Sequence, residues 1–211
     1  MKRITVFALC ALAAAALVPP PAGAQNSSAL LSRLVALSSS VRSYTAQVHA
    51  DIAMRTFPYL TPQLDGTYYH KEPSKDKLVF TSGVPLIASA FNKIYPHVES
   101  PSRWQDVYAI VNEGNDGRTT SFKLVPRHKA RIDHIDARVD DRTAELLQLR
   151  WVYTDGGYAT LDQTYGNVDG HELVTRQSGH VQVPNYTADV TSSFSNFKLD
   201  ADIPDSIFAG E

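Results

Sequence analysis

Tyr44-Thr45-Ala46-Gln47-Val48-His49-Ala50-Asp51-Ile52-Ala53-Met54 is the stretch that decides the fold. Tyr44, Ala46, Val48, Ala50, Ile52 and Met54 alternate with Thr45, Gln47, His49, Asp51 and Ala53. Side chains point to opposite faces of a strand in turn, so a period of two places the first set on one face. That face is apolar and the other polar, as in an antiparallel sheet with one covered side.

On the N-terminal side the period changes. Leu30, Leu31, Leu34, Val35 and Leu37 recur at helical spacing. The cap-type residues Asn26, Ser27 and Ser28 precede them, and Ser38-Ser39-Ser40 ends the run. On the C-terminal side turn signals recur at Leu64-Asp65-Gly66, Asn115-Asp116-Gly117, Asp155-Gly156-Gly157 and Asp169-Gly170. Between them lie strand-like runs at 67–70, 77–81, 107–111, 119–125, 146–153, 158–165 and 171–183. Ile87, Ala88, Phe91 and Ile94 predict a short helix over Pro85–Tyr95, ended by Pro96. The pattern predicts an α+β chain: one large, curved antiparallel sheet with an N-terminal helix and an inserted one. Such a sheet with helices on its concave side encloses an apolar space.

Residues 1–24 read as a signal peptide. Lys2 and Arg3 form a basic start, 4–18 an apolar run, and Ala22-Gly23-Ala24 a small-x-small site, predicting cleavage before Gln25. The run is too short for a membrane span, so the expected product is exported and not an integral membrane protein. Cys10, the only cysteine, lies inside it after Leu9, where acylation motifs carry a small residue. Residues 25–211 read as one domain. With 43% hydrophobic residues the chain can build a core, and its net charge of −2 argues against nucleic acid as a partner.

Catalytic signatures do not emerge. No two of His49, His70, His97, His128, His134, His171 and His180 have zinc-hydrolase spacing. There is no GxSxG elbow, phosphate-binding lysine loop or GxGxxG. His134 and Asp136 are placed to share a strand face, though 127–141 reads more simply as a polar strand edge. The expectation is a protein that is not an enzyme, with no cofactor and no metal.

The order of segments resembles the outer-membrane lipoprotein carrier family, the LolA/LolB-like proteins. The resemblance is carried by Ser43-Tyr44-Thr45-Ala46-Gln47-Val48, Gly66-Thr67-Tyr68-Tyr69-His70-Lys71, Pro73 and Lys77-Leu78-Val79-Phe80. It continues through Phe122-Lys123-Leu124-Val125-Pro126, Ile132–Asp140 and the hairpin at Asp155-Gly156-Gly157. It closes with Phe194-Ser195-Asn196-Phe197-Lys198-Leu199 and Ile203-Pro204-Asp205-Ser206-Ile207-Phe208. The resemblance implies a half-open antiparallel β-barrel whose helices cover an apolar cavity for lipid acyl chains. It implies a periplasmic carrier of lipid or lipoprotein cargo, with membrane-associated donor and acceptor proteins as partners. It also implies an arginine that manages cavity closure, for which Arg42 and Arg55 are the nearest candidates. Residues Gly83–Arg103 stand where the family has a lid.

On the apolar strand faces, Tyr44, Val48, Ile52, Leu78, Phe80, Phe122, Leu124, Leu149 and Trp151 are the candidate cavity lining. The same residues would equally form a closed core. Two other functions therefore stay open: an envelope sensing or partner-binding domain with a filled core, and a hydrolase acting on an envelope lipid or glycan.

Overall fold

The structure, a computed structural model, describes residues 22–57, 59–81 and 99–209. The expected helix over Pro85–Tyr95 and most of the signal segment lie outside the described residues. Helix α1 spans Ala22–Ser38. Strands β1 (Ser43–Met54), β2 (Gln63–Lys71) and β3 (Lys75–Phe80) follow. A 3-10 turn at Pro101–Arg103 and a one-turn helix α2 (Trp104–Val107) lead into the long meander. Its strands are β4 (Tyr108–Asn115), β5 (Thr119–Pro126), β6 (Ile132–Asp140) and β7 (Leu146–Tyr153). Then come β8 (Tyr158–Val168), β9 (His171–Val183) and β10 (Tyr186–Leu199).

The ten strands of the described residues form one antiparallel sheet in the order β3-β2-β1-β10-β9-β8-β7-β6-β5-β4. Every neighbour is a hairpin partner except β1 and β10, which join the N-terminal strands to the C-terminal one. β3 and β4 stand at the two edges, so the curved sheet is an open barrel. The alternation in β1 holds: Ala46, Val48, Ala50, Ile52 and Met54 are buried, and Gln47, His49 and Asp51 are exposed.

The main core lies on the concave face of β5–β9, under α1. Phe122, Leu124, Val139, Leu149 and Trp151 are among its most buried side chains, and Leu30 and Leu34 reach it from one stripe of the helix. Arg33, on the same helix, donates to the main-chain carbonyl of Asp141 at 2.9 Å and to that of Arg142. These bonds fix α1 to the β6–β7 turn. A smaller cluster of Ala50, Ile52, Met54 and Leu64 sits at the far end of β1 and β2.

Three expectations change. Leu64-Asp65-Gly66 is not a turn but the interior of β2, where Gly66 pairs with Val48 on one side and Phe80 on the other. A Cβ at Gly66 would come within 2.6 Å of the Val79 carbonyl, so this glycine serves close strand approach rather than a reversal. Second, α1 begins at Ala22, ahead of the cap-type residues. Ser28 lies inside the helix, where its carbonyl accepts the Ser32 hydroxyl at 3.0 Å. Third, β6 is an interior strand between β5 and β7, with Ile135, Ala137 and Val139 buried on one face. Asp136, Arg138 and Asp140 line the other face and Asp133 sits at a bulge, which gave the segment the look of an edge.

The remaining turns fall where glycine and Asx residues mark them. Gly117, Gly156 and Gly170 have φ of +88°, +83° and +87°.

Candidate functional site

At the end of the sheet where β1, β3 and β7 begin and β2, β8 and β10 end, the described residues leave the concave face unfilled. A cavity of about 800 Å³ opens there between α1 and the strands. Leu34, Leu37 and Val41 wall it from the helix side. Leu78, Leu146, Leu161, Leu173, Val174 and Phe194 wall it from the sheet. Pro101 and Ser100, just before α2, close one flank.

One end of the cavity is polar. His70 is the last residue but one of β2 and Asp76 the second of β3, and the hairpin register sets them directly opposite. His70 Nδ1 lies 2.7 Å from Asp76 Oδ1, and the Tyr68 hydroxyl donates to the same oxygen at 2.5 Å. Tyr44 stacks on His70 with ring centroids 4.9 Å apart. Burial pushes the Tyr44 and Tyr68 phenols well above their ordinary value, so both stay neutral hydroxyls. Gln163, Tyr165, Glu172 and Gln177 bring further polar groups from β8 and β9. Tyr165 is held by its own strand neighbours: its hydroxyl donates to Gln163 Oε1 at 3.2 Å and accepts the Leu146 amide at 3.3 Å.

The nine candidate lining residues divide by depth. Tyr44 and Leu78 line the cavity. Val48 is buried further along β1, opposite Gly66 and Phe194. Ile52 belongs to the small far-end cluster, and Phe80 packs against it. Phe122, Leu124, Leu149 and Trp151 are 1–2% exposed in the main core. Alternation identifies the inward face but not the distance from the open end, and that distance separates lining from core. The residues the sequence reading passed over are Tyr68, His70 and Asp76. Their signal was present in Tyr68 and His70, two apart on one strand face.

The two arginines named from the resemblance do not line the cavity. Arg55 pairs with Asp189 at 2.6 Å, at the opposite end of the sheet. The Arg42 carbonyl accepts the Glu72 amide at 2.8 Å, and its side chain faces out. The cation that ties the covering helix to the sheet is Arg33. On the convex face His134 and Asp136 do lie together, with Nε2 3.3 Å from Oδ1, and Asp133 approaches Nδ1 at 2.7 Å. Among the described residues no group of three His, Cys, Asp or Glu side chains is placed to share a metal ion. Nor is any described helix long and apolar enough to cross a membrane.

No family model matches the sequence, and no curated protein matches it. Solved structures do match over nearly their whole length. A DUF1329 family protein from Desulfovibrio piger is 13% identical with a TM-score of 0.60, covering 86% of this chain and 96% of that one. A protein from Vibrio parahaemolyticus described as an outer membrane lipoprotein-sorting protein domain is 11% identical with a TM-score of 0.58, covering 88% and 95%. A LolA superfamily protein from Nitrosomonas europaea is 12% identical with a TM-score of 0.55, covering 87% and 97%. Identity this low speaks for the fold alone. The open, curved antiparallel sheet of this chain, with a helix across its concave face, matches the LolA-like fold.

Proposed function

We propose that this protein is an exported, periplasmic carrier that takes lipid acyl chains into the cavity under α1 and releases them at another membrane. The observation that carries the reading is the cavity itself: about 800 Å³ among the described residues, with aliphatic walls on both the helix and the sheet side. A well-packed core leaves few voids larger than a water molecule, so a space of this size fits a ligand. Each methylene moved from water into it contributes about 0.8 kcal/mol, so one chain binds usefully without directional contacts. The likeness to a lipoprotein-sorting domain supports lipid or lipoprotein as cargo. The basic, apolar and small-residue order of residues 1–24 supports export. Catalysis, cofactor and metal have no part in this reading. Its partners are membrane-associated donor and acceptor proteins.

Uptake of an uncharged fluorescent acyl ester by the mature protein tests it. Saturable binding, weakened at least roughly tenfold by Leu78→Asp or Phe194→Asp in a protein that remains folded, supports the carrier. A folded protein that takes up no acyl probe contradicts it.

A further inference from the structure

On the carrier reading above, we infer that the cavity selects amphiphiles whose polar group is an ammonium cation, a primary amine or a quaternary ammonium, over anionic ones. Two independent features of the cavity wall carry this.

The first is aromatic. Tyr44 and Tyr68 both line the cavity, with centroids 5.9 Å apart and planes tilted by 44°. Phe194 meets Tyr68 edge-on at 5.7 Å from the neighbouring half of the sheet. Three rings from β1, β2 and β10 thus border one space. The face of an aromatic ring carries negative potential and attracts cations, and quaternary ammonium groups are recognised by such clusters.

The second is charge. Asp76, Glu99 and Glu172 line the cavity, while Lys77 is the only lysine or arginine among the described lining residues. The Lys77 ammonium is directed to the carbonyl of Ala209 at 3.4 Å. Asp76 is held by His70 and Tyr68, and Glu172 accepts Asn167 Nδ2 at 3.0 Å. Among the described residues no lysine or arginine forms an ion pair with any of the three acids. His70 offsets Asp76 only when protonated. These three carboxylates give the cavity wall a negative sign, so a cation entering it is attracted and a carboxylate or phosphate repelled.

Displacement of N-phenylnaphthylamine by three amphiphiles with the same chain tests the inference: dodecyltrimethylammonium, dodecyl maltoside and dodecanoate, below micelle formation at neutral pH. The ammonium is expected to bind roughly tenfold more tightly than dodecanoate, with the maltoside between them. Glu99→Gln with Glu172→Gln should narrow that ratio to about threefold, and added salt should do the same. Phe194→Leu keeps an apolar wall but removes a ring, so it should weaken the ammonium and spare the maltoside. Dodecanoate binding as tightly as the ammonium, while the maltoside also binds, overturns the selectivity and leaves the carrier reading standing. A ratio unchanged in all the variants also overturns it. Failure of all three probes to bind removes both.

Discussion

Arg33 and Asp141 lie 108 positions apart, yet the guanidinium of one donates to the main-chain carbonyl of the other at 2.9 Å. A second guanidinium nitrogen reaches the carbonyl of Arg142. The fork therefore spans two consecutive carbonyls of the β6–β7 turn and sets how closely α1 covers the cavity. Arg33→Ala should cost about 1 kcal/mol, since the site is exposed and water competes for the carbonyls. It should also open the cavity, seen as faster exchange of a bound acyl probe. Arg33→Lys should recover little of this, because a single ammonium cannot match the fork. Stopped-flow release and urea unfolding of the three proteins check both effects.

Depth along the strands separates two classes of inward residue. Trp151 is 1% exposed in the main core, and its truncation to alanine should cost about 3–5 kcal/mol. Leu78 is 40% exposed at the cavity wall, so Leu78→Ala should cost under about 1 kcal/mol while weakening acyl-chain binding. Urea midpoints read beside probe affinity distinguish the two. Equal destabilisation by both substitutions would mean that the cavity is part of the core.

Much of this was legible in the sequence. The period of two in β1 and the glycine turns after β4, β7 and β8 specify an antiparallel meander with one buried face. Gly66 shows the limit. Asp65-Gly66 carries turn chemistry, but the register with β3 gives the glycine a different task. The polar end of the cavity was missed for a related reason. His70 and Asp76 meet only because the β2–β3 hairpin reverses at 72–74, with a cis bond between Glu72 and Pro73 and a positive φ at Ser74. Proline and serine in a row do not announce that register.

Gly66 also yields a sharp substitution. Alanine there would bring a Cβ within 2.6 Å of the Val79 carbonyl and 3.2 Å of Phe80 Cα, both main-chain atoms that cannot step aside. Gly66→Ala should cost about 1–3 kcal/mol and loosen β3 from the sheet edge. Hydrogen exchange confined to residues 64–81 checks this. Unchanged protection would contradict the close approach.

Acid sensitivity follows from the β4–β5 hairpin. Asp116 Oδ1 accepts the Thr119 and Arg118 amides at 2.7 and 2.9 Å, and Oδ2 accepts the Thr119 hydroxyl at 2.9 Å. These bonds hold its carboxyl down to about 2, from an ordinary 3.8. A carboxyl depressed by folding contributes stability that is complete above its unfolded value and lost as pH falls through its folded one. The stability gap between the native chain and Asp116→Ala should therefore narrow as pH falls from 3.8 towards 2. Asp140, Asp155, Asp189 and Asp205 are shifted in the same direction, so the whole fold should weaken over acid pH. Urea unfolding as a function of pH measures both.

The central claim is that the space under α1 holds an acyl chain in the working protein. Native mass spectrometry of the exported protein, purified from its own cell envelope without detergent, tests it most directly. The account predicts retained mass that lipid extraction identifies as acyl-chain species and that Phe194→Asp abolishes. Protein that comes off at its bare polypeptide mass, and stays so after incubation with envelope lipids, would contradict it.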